Sequence, residues 1–241
     1  MVNLRTSEFQ QNMTELKVNK AVRQIKSKER VAEHGEVFTD EREVNAMLDL
    51  VKDESSRIES RFLEPACGNG NFVIEVLNRK LVTVRKKYGR SPSDYEKFSI
   101  IAVSSIYGVD ILEDNVKECR KRLYDFWNRH YTEICGSESR EEVRKAAKYI
   151  IRHNILHGDA LTMLKNNGEP IVFAQWDLVI GNKLQRLDYR LDSLMRTQDE
   201  DQMELDFGMQ EWNTDRDADT SISEPVRKYP LVNYWEVQKC R

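Results

Sequence analysis

Apolar residues recur at i, i+3, i+4 and i+7 between Glu41 and Val51, where Val44, Met47, Leu48 and Val51 predict a short amphipathic helix capped by Thr39 or Asp40. Asp53 to Ser60 is polar and reads as a loop. Arg61 to Leu63 is a brief strand that delivers Glu64 to a Gly-X-Gly turn, and Asn71 to Leu81 resumes helical spacing. Lys86 to Ser93, with Gly89 and Pro92, interrupts the pattern. A helix from about Asp94 to Ser104 then leads into a strand from Ile106 to Ile111, closed by Asp110. Val116, Cys119, Leu123, Phe126 or Trp127 and His130 hold helical spacing from Glu113 to His130, and Glu138 to Ile150 predicts a further helix. Asn154 to His157 reads as a strand ending at Gly158-Asp159. Trp176 to Ile180 reads as another, ending at Gly181-Asn182, with Ile171 to Phe173 as a short edge between them.

This alternation predicts an α/β fold, a mostly parallel sheet with helices on both faces and ligands at the carboxyl ends of the strands. Glu64, Asp110, Asp159 and Asn182 all fall at such predicted ends. The pattern fades after Arg190, so the sheet is expected to stop after its fourth strand. Leu231 to Val237 reads as a final strand or a docking peptide, a candidate cover for the exposed edge near Trp176 to Ile180. The expected division is a basic arm or helix over 1–30, the patterned domain over 31–190 and an acidic, partly disordered tail over 191–241.

Composition narrows the setting. No apolar run among the 241 residues is long enough to cross a membrane. Met1 to Arg30 carries Lys17, Lys20, Arg23, Lys26, Lys28 and Arg30 with no apolar centre, so a cytoplasmic protein without a membrane partner is expected. Thr197 to Glu224 holds ten acidic residues against Arg216, a balance of −9 in a chain of −3, which leaves +6 for the remainder. A mildly basic body suits a polyanion, although runs such as Arg85-Lys86-Lys87 and Arg120-Lys121-Arg122 are commonly solvated helix faces. Cys67, Cys119, Cys135 and Cys240 are too scattered to indicate a zinc site or a disulfide framework, and are expected to be reduced thiols.

The strongest chemical signal is Phe62-Leu63-Glu64-Pro65-Ala66-Cys67-Gly68-Asn69-Gly70-Asn71-Phe72, an apolar strand running through a carboxylate and a glycine turn into a helix. Glycines at 68 and 70 permit positive φ and close backbone approach. A phosphate-binding P-loop would place Lys-Ser or Lys-Thr where Asn71-Phe72 stands, and the dinucleotide fingerprint is missing as well. The arrangement suits a nucleoside with a charged sulfonium arm.

Together with Gly35-Glu36-Val37-Phe38-Thr39, Tyr107-Gly108-Val109-Asp110-Ile111, Gly158-Asp159-Ala160 and Asp177-Leu178-Val179-Ile180-Gly181-Asn182, this turn resembles the N6-adenine DNA methyltransferases of restriction-modification systems over roughly residues 28 to 190. The resemblance implies a Rossmann-like methyltransferase fold, S-adenosyl-L-methionine as cofactor and adenine in DNA as acceptor. It implies that Glu64, Ala66, Gly68 and Gly70 form the turn across which the cofactor lies. Asp110 would accept both ribose hydroxyls, although a helix N-cap is its other role. By the same resemblance Asp159 bonds the adenine amine, Ile111 covers the adenine, and Phe38 and Thr39 line the methionine end. Asn182 would accept an N–H of the target amine. Where the family reads Asn-Pro-Pro-Tyr this chain has Asn182-Lys183-Leu184-Gln185, and Tyr189 is the candidate substitute for the stacking ring. The altered motif supports an alternative, a catalytically degenerate cofactor-binding module that partners other subunits in a restriction-modification or defence assembly. A methyltransferase acting on RNA or protein is a third expectation. No segment reads as a target-recognition region, so a partner subunit is expected to supply one.

Overall fold

The computed structural model describes residues 25–196 and 224–240. Most of the predicted basic arm and the acidic run thus lie outside the described residues. The chain enters through α1 (Lys28–His34), whose N-cap Ser27 accepts the Arg30 N–H and whose end is turned by Gly35 at φ 64°. In α2 (Glu41–Leu50) it is Asp40, not Thr39, that caps, accepting the Arg42 N–H. A one-turn α3 (Lys52–Ser56) occupies the stretch predicted as loop; Ser55 is its buried residue, so no apolar period announces it.

Then follow β1 (Phe62–Glu64), α4 (Asn71–Tyr88), α5 (Pro92–Ser104), β2 (Ile106–Asp110), α6 (Glu113–Cys135), α7 (Glu141–Asn154) and β3 (Ile155–His157). Helix α4 continues past Leu81 because Val84 is buried and Tyr88 stacks on Phe98 of α5, ring centroids 3.9 Å apart. Pro92 sits at the first turn of α5, where its missing N–H costs nothing. In α6 the buried stripe runs through Trp127, not Phe126, and the Trp127 indole donates to Ser99 Oγ at 3.1 Å.

Strands β1, β2 and β3 form a parallel sheet in that order, with Phe62 opposite Ile106 and Asp110 opposite His157. Their alternation splits the interior in two. Phe62, Ile106 and Ile155 face the helices, where Leu77, Val84, Ile100, Trp127 and Ile150 are wholly buried. Each such aliphatic side chain contributes about 2 kcal/mol by leaving water. Leu63, Tyr107, Val109 and Leu156 line the opposite face. At the amino edge of β1 the Lys80 ammonium, fully buried, donates to the carbonyls of Arg57, Ile58 and Ser60 and lies 5.3 Å from the Phe62 ring centre. This joins α4 to the segment that feeds β1.

That opposite face is covered by a β-hairpin where helices were expected. Strands β4 (Val172–Ile180) and β5 (Lys183–Arg190) pair antiparallel, followed by α8 (Leu191–Arg196); β6 (Arg227–Lys228) and β7 (Val232–Asn233) pair with β5. Ile171, just before β4, packs beside Gly158 at the carboxyl end of β3. Farther along, Tyr107 donates to the Ala174 carbonyl, the Trp176 indole donates to Asn154 Oδ1, and Asp177 pairs with Arg61 just before β1 at 2.9 Å. Strand β4 therefore runs from the carboxyl edge of the parallel sheet towards its amino edge, against the three strands it covers. It does not extend them as a fourth parallel strand. The cause is local: Gly181 at φ 58° and Asn182 make the tight turn of a hairpin, which returns the chain at once.

Of the predicted tail, residues 224–240 are folded. Tyr234, at the start of a 3-10 turn (Tyr234–Lys239), donates its N–H to the Asn182 carbonyl and its hydroxyl to Glu96, and Tyr149 donates to the Cys240 carbonyl. Residues Val232 and Asn233 close the edge of β5, not the edge of β4. Among the described residues β4 pairs with β5 alone, and Leu178, Val179 and Ile180 are exposed at its tip. No described helix is long and apolar enough to cross a membrane.

Replacing Lys80 with Met keeps most of the volume and removes the donor shared by the carbonyls of Arg57, Ile58 and Ser60. A loss of about 3 kcal/mol is expected in urea unfolding, whereas a change below about 0.5 kcal/mol would show that the ammonium holds nothing together.

Candidate functional site

The carboxyl edge of the parallel sheet is organised by Asp110. Its Oδ2 accepts the Gly68 N–H at 2.8 Å, and its Oδ1 accepts the Leu112 N–H at 2.9 Å and the Asn115 amide at 3.2 Å. One buried carboxylate thus ties the glycine turn to the end of β2 and to the start of α6. Leu112 is the N-cap position of that helix and no side chain caps it, so Asp110 holds the turn and the helix entry without being the N-cap. These bonds occupy much of the acceptor capacity expected for ribose hydroxyls.

Gly68 and Gly70 have φ of 51° and 99°. A Cβ on Gly70 would lie 2.8 Å from the Cys119 sulfur, and one on Gly68 would lie 3.2 Å from the Phe38 ring. Arg122 braces the turn by donating to the Asn69 carbonyl at 2.8 Å and Asn71 Oδ1 at 3.0 Å. Within the basic run predicted as a solvated face, Arg122 is thus a brace. Beneath the turn, a hydrogen bond with Cys119 and burial raise the Cys67 thiol well above its ordinary range, helped by the charges of Asp110 and Glu64. It stays protonated and is no nucleophile.

The segment leading from α1 to α2 lies across this turn as a strap. The Phe38 ring packs on Gly68, and the Thr39 carbonyl accepts the Asn71 amide at 3.0 Å, so the residues predicted for the methionine end do meet the glycine turn. Arg30 forms a two-pronged pair with Glu36 and reaches Asp114 on α6; Glu36 accepts the Asn115 amide at 2.6 Å, and Lys26 pairs with Glu118 at 2.8 Å. Sequence reasoning missed Glu36, Asn115 and Arg30 as site residues. The one available signal was Glu36 within the Gly35-to-Thr39 run, because single charged residues on a helix carry no period.

Next to Asp110, the Gly158 N–H donates to its carbonyl, and a ring nitrogen of His157 lies 3.0 Å from the Ile111 carbonyl. These bonds bring the loops after β2 and β3 together. Asp159 accepts the Leu161 N–H and the Thr162 hydroxyl. Glu64 accepts the Ala66 N–H through Oε1 at 3.2 Å, and burial pushes its carboxyl up despite that bond. Pro65 and Ala66 are exposed, Ile111 is 50% exposed and Leu161 is 78% exposed. The result is an open shelf, with polar groups on a strand edge and apolar side chains beside them.

Asn182 and Tyr189 are elsewhere. Asn182 occupies the hairpin turn beyond the amino edge of the sheet, the opposite edge from Gly68, Asp110 and Asp159. Tyr189 is buried in β5 opposite Phe173, its ring committed to packing. The predicted constellation is thus split, with Phe38, Thr39, Glu64, Ala66, Gly68, Gly70, Asp110, Ile111 and Asp159 on one edge, Asn182 beyond the other, and Tyr189 buried within the hairpin. Lys183 and Gln185, which stand in place of a Pro-Pro-Tyr arm, are ordinary members of the β5 ladder. No protein-family model, curated protein or solved structure matches the chain.

Two outcomes follow from this geometry. Gly70→Ala meets both the positive φ and the Cys119 sulfur and is expected to cost about 2 kcal/mol, of which adding Cys119→Ala restores a part in thermal unfolding; full restoration would show that φ is not strained. Burial alone would raise Glu36, but Arg30 and Asn115 hold it below its ordinary 4.5, while the Arg30 pair leads in holding Asp114 below 3.8. Depressed carboxylates contribute stability above their ordinary values and lose it as pH falls through the folded ones. Urea midpoints measured from about pH 6 to about pH 3 should therefore fall less steeply in Glu36→Gln than in the parent protein. Equal slopes would mean that the strap is not held by these charges.

Proposed function

We propose that this chain is the S-adenosylmethionine-binding half of an adenine-N6 DNA methyltransferase assembly of restriction-modification type, with Asn182 outside the acceptor site. The observation that carries this reading is the alignment of Glu64, Asp110 and Asp159 at the carboxyl ends of three adjacent parallel strands, beside a positive-φ glycine turn. Ligands of open α/β sheets bind at that edge. When bound, S-adenosylmethionine supplies an electrophilic methyl group. Glu64, with one carboxylate oxygen engaged by Ala66, offers the other to a hydroxyl or ammonium of the cofactor. In this reading Asp159 takes the adenine amine, and exposed Ile111 and Leu161 provide apolar cover for a purine. Asp110 serves chiefly by holding the Gly68 N–H and the turn in place.

The location of Asn182 favours the module reading over a self-sufficient enzyme. A target amine must be held in line with the methyl carbon, and a side chain on the far edge of the sheet does not reach it. The acceptor contacts and DNA target recognition then come from a partner subunit or from segments outside the described residues.

Incubation with tritiated S-adenosylmethionine, with and without unmethylated DNA, tests both parts. Saturable binding is expected, weakened about tenfold by Glu64→Gln at unchanged melting temperature, as fits loss of one charge-assisted hydrogen bond. Asn182→Ala should change neither binding nor any transfer. No binding would refute the cofactor reading, and transfer abolished by Asn182→Ala would refute the placement of the acceptor site.

A further inference from the structure

A cavity of about 400 Å³ opens beside β3, and none of the glycine-turn residues lines it. That volume is within the range of small-ligand sites. Its wall holds four cationic side chains, Arg120, Arg152, Lys165 and Arg186, against one carboxylate, Asp188, with His153 between. Asp188 is already spent: both of its oxygens bind Arg186, at 2.7 and 3.0 Å, and one also accepts the Tyr229 hydroxyl. Among the described residues Lys165 pairs with Glu169 alone, exposed and at 3.4 Å, a pairing worth little in water.

Arg120 is half explained by the fold. Its Nε and Nη2 donate to the carbonyls of Ile155 and Arg152 at the C-terminus of α7, where a cation is favoured. Its Nη1 hydrogens have no partner among the described residues, and no carboxylate forms an ion pair with it there. Arg152, at the same cavity, likewise makes no ion pair among the described residues. Burial first and then repulsion from Arg152 lower the Arg120 guanidinium below its ordinary range. Capping α7 requires one guanidinium and does not account for two of them facing a shared space with Lys165.

We propose that this cavity is a binding site for a phosphate group, held by Arg120 and Arg152 with Lys165 as the third cation. The Arg152 guanidinium matches phosphate oxygens in geometry as well as charge, Arg120 adds its Nη1 hydrogens, and a bound anion removes the repulsion between the two arginines. The site is independent of the cofactor shelf and of the function assigned to it.

Calorimetric titration of the full chain with inorganic pyrophosphate provides the test, using the double variant Arg152→Ala/Lys165→Ala. Arg152 is exposed near the end of α7 and Lys165 lies in the loop after β3, and Arg120 bonds the backbone carbonyl of residue 152, so its cap stays intact; a melting curve confirms the fold. Saturable binding in the millimolar range or tighter is expected, weakened at least about tenfold in the double variant, as befits loss of two charged donors. Absence of saturable binding, or equal affinity in the variant, would overturn the site. Duplex DNA that displaces pyrophosphate, and itself binds more weakly to the variant, upholds it with a nucleic-acid backbone as the source. Pyrophosphate binding without such competition upholds it for a small phosphorylated ligand.

Discussion

A single buried carboxylate holds the carboxyl edge of the parallel sheet together. Asp110 closes the middle strand, accepts the N–H of the turn that follows β1, and accepts the N–H at the start of α6. Three elements are thus tied at their ends by one side chain, with the Cys67 N–H bond to the Val109 carbonyl and the Arg122 brace beside it. Through Asn115 the same cluster reaches Glu36 and the strap, so Phe38 lies on the glycine turn as part of a continuous polar network. Such networks are stable when every member is satisfied, and here the carboxylate has at least one donor on each oxygen. Positive φ at Gly68 and Gly70 is the backbone side of the same constraint, because Cys119 and Phe38 stand where a Cβ would go.

Parallel strand order gives that cluster its neighbours. With Glu64, Asp110 and Asp159 at the ends or just beyond the ends of adjacent strands, the edge carries three carboxylates, each with at least one backbone N–H as partner. The opposite edge is built on different chemistry, with the Lys80 ammonium, Asn154 and the Arg61–Asp177 pair joining β1, α7 and β4. The hairpin connects the two edges by crossing the face of the sheet, and in doing so it carries Asn182 away from the first.

What could be read from the sequence follows from how each element is buried. The helices α4 to α7 and the strands β1 to β3 present regular apolar faces, and their order and the strand-end carboxylates were legible. The direction of β4 was not, because Trp176 to Ile180 reads equally well as a parallel or an antiparallel strand, and only the Gly181-Asn182 turn hinted at the return. Strand β5 escaped notice for a clear reason: its inward positions alternate Leu184, Arg186 and Asp188, and the last two satisfy each other by an ion pair, so a buried face looks polar. Within the docked segment at 224–240, Leu231 to Val237 was legible as a strand or docking peptide but not in its target, since Tyr234 finds Glu96 across a separation no local pattern encodes. Similarly, Arg120 and Arg122 belong to one basic run yet brace two different parts of the fold.

In the proposed function a nucleoside ligand lies on the carboxyl edge, over the glycine turn, and the Asn182 turn faces a different part of the surface. Photo-crosslinking with tritiated S-adenosylmethionine, followed by peptide mapping, reads this directly. Label is predicted in peptides containing Glu64 to Gly70, Asp110 to Leu112 or Asp159 to Leu161. Label concentrated in the peptide from Leu178 to Arg190 would contradict the account.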